Sequence, residues 1–181
     1  FSSEIIKSIY PEKKYFSVFR KKPFIKNIFK NKKNNLSISG AIPGMAIHYA
    51  HCCSPLPGER IVGIVTSGKG ITVHSLDCFS LEKFQDVPER WLDISWEREN
   101  DILYRGKLIA VLMNEPGSLA DVTRIISSIN GNISNIQVIN REINFYKFTI
   151  DLEVENLTHL NEIIAALRLS DYVESIEREK N

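Results

Sequence analysis

Between Tyr146 and Val154 apolar and polar residues alternate without a miss. Tyr146, Phe148, Ile150, Leu152 and Val154 fall on one side, and Lys147, Thr149, Asp151 and Glu153 on the other. Successive side chains of a strand point to opposite faces, so this pattern specifies a half-buried antiparallel strand with one wet face. Such a strand needs partners and a covering layer, and its neighbours supply both. Leu108–Met113 is a short apolar run suited to a buried strand. Leu119, Val122, Ile125, Ile126 and Ile129 recur at helical spacing over Gly117–Asn130. Ser118 and Asp121 resemble a capping box at that helix start, and Gly131 is a natural stop. Ile136 and Val138 open a second strand. Leu160, Ile163, Ile164 and Leu167 mark a second helix, and Val173 to Ile176 a last strand. The order over 102–181 is βαββαβ, an α+β arrangement of ferredoxin-like type. Its open sheet edge would suit dimerisation or a ligand.

A different texture precedes it. From about 41 to 98 the chain is rich in glycine and proline and holds all three cysteines. Ile61–Thr66 reads as a strand, Ser67–Gly70 as a turn and Ile71–His74 as the returning strand, which makes a hairpin. Leu81 to Phe84 sit on a short helix, Trp91–Trp96 reads as one further strand, and Glu97–Asp101 as a charged linker.

Residues 1–40 differ again. They carry ten Lys/Arg against two Glu, whereas the other 141 residues carry 13 basic and 20 acidic side chains, so a net charge of +1 conceals a split of +8 and −7. Phe16, Phe19, Phe24 and Phe29 interleave with Arg20, Lys21, Lys22 and Lys26, a mixture suited to stacking and phosphate contact with RNA; a solvated tail is the other reading. Residues 3–11 read as a short capped helix stopped by Pro11, too short to fold alone. The chain opens on Phe1 rather than Met, from which we expect a piece of something longer.

The cysteines carry the sharpest chemical signal. Cys52 and Cys53 lie 22 and 21 residues before His74, and His74-x3-Cys78 completes the set. Three sulfurs and one imidazole satisfy a tetrahedral zinc ion. Adjacent ligands reach one ion only across a sharp turn, and Ser54-Pro55-Leu56-Pro57-Gly58 supplies turn chemistry just after them. His48 and His51 are substitute ligands. Three reduced, packed thiols beside an ordinary histidine are the competing reading, and a Cys–His nucleophile pair a third, although no orienting residue stands out. Three cysteines are too few for a disulfide scaffold and point to a reducing, cytoplasmic setting. There is no Walker loop, no G-x-G-x-x-G and no H-E-x-x-H, no apolar run of membrane-spanning length and no signal peptide in the first forty residues.

The stretch Ala46-Ile47-His48-Tyr49-Ala50-His51-Cys52-Cys53-Ser54-Pro55-Leu56-Pro57-Gly58-Glu59-Arg60-Ile61-Val62-Gly63, continuing through Gly68-Lys69-Gly70 to His74 and Cys78, resembles the C-terminal region of long RelA/SpoT-family proteins. These are the (p)ppGpp synthetases and hydrolases of the bacterial stringent response. Pro43-Gly44-Met45-Ala46 and Pro88-Glu89-Arg90-Trp91 look like the alphaproteobacterial branch. The resemblance covers 41–181 well and 15–40 poorly, and residues 1–14 resemble the end of a preceding helical domain. It departs from the family at Glu59, usually aspartate, and at Ser75, often arginine, a cation that could meet RNA phosphate.

The resemblance implies a basic segment over 1–40, a zinc-finger or ribosome-intersubunit domain over 41–98 and an ACT domain over 102–181. It implies structural zinc on Cys52, Cys53, His74 and Cys78. With the basic, aromatic composition of the first forty residues it points to RNA contacts at Arg20, Lys21, Lys22, Lys26, Arg60 and Lys69, and it implies an ACT ligand loop at Asn114, Gly117, Ser118 and Leu119. The family's hydrolase, synthetase and TGS domains lie N-terminal to such a region, so no catalytic residue is expected here and the chain alone should not turn over (p)ppGpp. The implied partners are the ribosome and tRNA, the catalytic half in cis or in trans, a second copy through the ACT domain, and a branched-chain amino acid, with no membrane. A free-standing ACT-type amino-acid-sensing or dimerisation module is the alternative.

Overall fold

The computed structural model describes residues 38–97 and 102–180, all within one compact unit, Leu36–Asn181. The capped helix at 3–11 and the basic stretch with Arg20, Lys21, Lys22 and Lys26 lie outside the described residues.

The first half is a small β domain. Its four-stranded sheet has the order β2-β4-β3-β5, with β2 (Ile47–Tyr49) parallel to β4 (Gly70–Ser75), and β3 (Ile61–Thr66) antiparallel to both β4 and β5 (Trp91–Asp93). The β3–β4 pair is the expected hairpin. A 3₁₀ helix, Phe79–Phe84, stands where a short helix was read, and a second, Pro88–Arg90, follows. The strand expected over Trp91–Trp96 is two. The chain breaks at the buried Ile94, and β6 (Ser95–Trp96) leaves the sheet to pair with β1 (Ile38–Ser39), which lies ahead of residue 41.

The second half has the expected βαββαβ order: β7 (Tyr104–Met113), α1 (Ser118–Ser128), β8 (Asn132–Arg141), β9 (Phe145–Val154), α2 (Leu157–Leu167) and β10 (Val173–Arg178). The antiparallel sheet runs β10-β7-β9-β8. Leu108, Ala110 and Leu112 of β7 and Ile150, Leu152 and Val154 of β9 are fully buried against Val122, Ile126, Leu160, Ile163 and Leu167 of the helices.

Three local expectations are corrected. The face of β9 opposite the core is wet only toward its ends: Lys147 is exposed and Glu153 half-buried, but Thr149 and Asp151 are 8% and 2% exposed. Strand β9 is central, with partners on both sides, and Arg105 and Asn135 roof Asp151 with hydrogen bonds of 2.8 and 3.0 Å. No capping box opens α1. Its N-cap is Gly117, with φ 98° and no side-chain cap, while the Asp121 carboxylate accepts from Arg124 and Ser170 instead. After α1 the left-handed residue is Asn130 (φ 63°), not Gly131. Gly131 is required for space, because a Cβ there would lie 2.8 Å from both Ile126 Cγ2 and Ile163 Cδ1.

The halves are packed together. Leu56, from the loop between β2 and β3, is fully buried in the core of the second half. Leu157 N–H donates to Pro57 O at 3.0 Å. Tyr49, Trp96 and Tyr104 form an aromatic cluster with ring centroids 5.5–5.9 Å apart. Arg178, the last residue of β10, forms a two-pronged ion pair with Glu59, Nη1 to Oε1 at 2.6 Å and Nη2 to Oε2 at 3.0 Å. No helix among the described residues is long and apolar enough to cross a membrane.

Candidate metal centre

Cys52 and Cys53 sit in a turn that Ser54 N–H closes on Ala50 O at 2.9 Å. Ser54 takes the left-handed conformation, φ 42°, rare for a side chain other than glycine. The sharp turn that adjacent ligands require is therefore Ala50–Ser54, and the Pro-rich stretch after it carries the chain into the second half. His74 comes from β4. Cys78 follows where Cys78 N–H donates to Ser75 O at 3.0 Å, and it is the N-cap of the 3₁₀ helix Phe79–Phe84. The junction turns the chain so that residues four apart face one point.

The four ligand atoms lie within 4.8 Å of one another. Cys52 Sγ is 3.6 Å from His74 Nδ1 and 3.4 Å from Cys78 Sγ, and Cys53 Sγ is 3.9 Å from His74 Nδ1. Bonds of about 2.3 Å to sulfur and about 2.0 Å to nitrogen give a tetrahedron with edges of roughly 3.5–3.8 Å. The set can hold a metal ion: the three separations of 3.4–3.9 Å lie near those edges, and no pair exceeds 4.8 Å. His48 and His51 stand outside it.

The electrostatics suit a cation. Burial pushes the Cys53 thiol far above its ordinary range, against the Ser75 N–H that donates to its sulfur at 3.3 Å. Burial also raises Cys78. At Cys52 burial acts the same way, but hydrogen bonds with Ser80, Cys78 and Cys53 bring the thiol below its usual value. Burial lowers His74, keeping the imidazole neutral as a ligand must be. Without a positive ion, little rewards three sulfurs for ionising in so small a space.

The other expected site residues are dispersed. Arg60 is exposed at the start of β3 and Lys69 is exposed at the hairpin tip, the two separated by the length of that strand. Lys69 shares an open groove of about 680 Å³ with His48, His51 and Thr72, beside Cys52 and His74. In the second half Asn114 Nδ2 donates to Ile143 O at 2.9 Å. Gly117 has open space around it, Ser118 is half-buried and Leu119 is 39% exposed. Arg178 was not singled out from sequence. Its partner Glu59 lies 119 residues away, and no local pattern signals such a pair.

The family model of the RelA/SpoT RIS domain matches residues 36–97, and that of the ACT domain matches residues 102–178. The GTP pyrophosphokinase rsh of Brucella ovis is 35% identical over 148 residues, 81% of this chain and 20% of that protein. The bifunctional (p)ppGpp synthase/hydrolase SpoT of Escherichia coli K12 is 29% identical over 147 residues, 81% of this chain and 21% of that protein. The chain thus spans about a fifth of the length of the curated relatives it matches. The crystal structure of the ACT domain from a Chlorobium tepidum GTP pyrophosphokinase is 22% identical, covers 42% of this chain and 97% of its own, and has a TM-score of 0.38.

Proposed function

The chain carries a RelA/SpoT RIS domain followed by an ACT domain and is similar to the C-terminal regulatory region of RelA/SpoT-family proteins; on that premise we propose that it is the regulatory end of a stringent-response (p)ppGpp synthetase/hydrolase. It acts on the catalytic half, in cis or in trans, and turns over no (p)ppGpp by itself. The observation that carries the reading is the order of the two domains, matched over four-fifths of the chain by proteins named for (p)ppGpp chemistry.

Cys52, Cys53, His74 and Cys78 hold one structural zinc ion. When bound, zinc cross-links the Ala50–Ser54 turn to the β4 corner and adds its binding free energy to folding. The ribosome and tRNA are the partners of the RIS half. Lys69 with His48 and His51 along one groove, and Arg60 at the far end of β3, supply exposed donors for phosphate. Elemental analysis of the purified chain should give about one zinc per chain, and Cys53→Ser should abolish it. Ribosome binding should weaken steeply between low and moderate salt. A folded chain that takes up no zinc removes the metal reading, and salt-independent or absent ribosome binding removes the RNA reading. Incubation with ATP and GDP, or with ppGpp and manganese, should give no turnover.

A second reading, an ACT-type dimerisation module, is favoured by one observation. Strand β8 lies at the sheet edge with Ile136, Val138 and Ile139 at 38%, 36% and 52% exposure. Sedimentation equilibrium separates the two: a dimer that binds no ribosome supports the second.

A further inference from the structure

We propose that Arg178 is a positioning residue for the metal centre, through which the second domain holds the Cys52–Cys53 turn in its ligating shape. The inference rests on the metal reading above and concerns residues that lie outside the ligand set.

The Arg178 side chain is only 10% exposed and Glu59 only 7%. Besides the two-pronged pair with Glu59, Arg178 Nη2 donates to Ser54 O at 2.8 Å and to Cys53 O at 3.3 Å. A single guanidinium therefore grips the backbone of a ligand residue and that of the strained residue after it. A left-handed serine persists only where its surroundings over-determine it. The surroundings are Ala50 O on one side and Arg178 on the other. Glu59 extends the grip, because its Oε2 also accepts Leu56 N–H at 2.8 Å. Leu56 then anchors the loop in the second domain's core.

The same strand end reaches the other ligand-bearing segment. Lys180 Nζ pairs with Asp77 Oδ2 at 2.5 Å, next to Cys78. Residues 178 and 180 thus touch both jaws of the site, Arg178 from a buried position and Lys180 from an exposed one. A planar fork is needed at 178, since an ammonium cannot serve a carboxylate and two carbonyls in fixed directions. If the turn's shape depends on β10, then metal binding and the seating of β10 are reciprocally linked.

The experiment uses the full chain and zinc as the probe. Chelator competition should show a roughly 10- to 100-fold weaker zinc affinity for Arg178→Ala, the range for residues that orient metal ligands. Arg178→Lys should recover only part of it. Arg105→Ala, which removes an ion pair with Asp151 elsewhere in the same sheet, should leave zinc affinity unchanged. The cobalt-substituted protein should show altered thiolate-to-metal absorption in Arg178→Ala alone. Should Arg178→Ala fail to fold, hydrogen exchange on the unmutated chain decides: zinc should slow exchange of the Leu157 amide, bonded to Pro57 O, and of the amides over Val173–Arg178. An unmutated chain that binds no zinc overturns both the metal reading and this one. Equal zinc affinity in Arg178→Ala, or exchange in β10 indifferent to zinc, overturns this one alone and leaves the metal centre standing.

Discussion

Asp151 lies at the centre of β9 with its carboxylate nearly shielded from water, a position that costs free energy unless the charge is satisfied. Burial works against ionisation, but hydrogen bonds from Arg105 and Asn135 outweigh it and hold the carboxyl below its ordinary value of 3.8. A group whose folded pKa is depressed contributes stability above its unfolded pKa and loses it as pH falls toward the folded value. Asp151→Asn should therefore be less stable than the unmutated chain at pH 7, by about 1 kcal/mol, since Arg105 is largely exposed and water screens the pair. The gap should narrow below about pH 4, where the unfolded chain's carboxyl takes up a proton while the native one, held lower, is still charged. Urea unfolding at pH 7 and pH 3.5 measures it. A gap that stays constant with pH would mean that Asp151 acts by shape rather than by charge.

Helix starts show where local sequence suffices and where it does not. Helix α2 begins at Asn156, whose Oδ1 accepts His159 N–H at 2.9 Å. His159 answers by accepting Glu155 N–H on Nδ1 at 3.2 Å, and its Nε2 sits 2.9 Å from Ile129 O. The arrangement resembles a capping box, with histidine as the returning partner, but the return bond goes to Glu155, one residue before the cap, rather than to Asn156. Asn156→Ala should cost about 1 kcal/mol, visible as a lower unfolding midpoint in urea with an unchanged slope. A midpoint unmoved by the substitution would show that water or a neighbour replaces the cap. The box that Ser118 and Asp121 suggest is absent because Gly117 enters α1 with positive φ, which no residue letter records as firmly as spacing does. Helical spacing marked both helices, and unbroken alternation marked β9. Strand β8 showed only at Ile136 and Val138: most of it is exposed on both faces, so no burial period is imprinted on it. Strands β1 and β6 are two residues long, too short for any period. The cluster of Cys52, Cys53, His74 and Cys78 was legible because cysteines and histidines are scarce in this chain. The turn that joins Cys52 to Cys53 was legible only as a need, since its closure by Ala50 and its brace by Arg178 are matters of backbone geometry and distant pairing.

At the scale of the molecule, Leu56 decides how the two domains share stability. It belongs by sequence to the RIS half and by burial to the ACT core. Leu56→Ala should destabilise the chain by about 2–5 kcal/mol, as deletion of a fully buried leucine does elsewhere. Far-UV circular dichroism and tryptophan fluorescence, the latter reporting Trp91 and Trp96 in the RIS half, should give coincident transitions in the unmutated chain. The substitution should move both together. Two separated transitions, with only one displaced, would show that the domains unfold independently.

Because Leu56, Pro57, Glu59 and Arg178 tie the domains side to side, the peptide bonds between Glu97 and Ile102 are not what keeps them together. A protease that cuts there would leave a nicked pair that stays associated, and the two pieces made separately would be expected to find each other in solution. Inheritance follows the same logic: a recombination event that brings in a foreign ACT domain at that junction would also have to bring an arginine for Glu59 and a socket for Leu56.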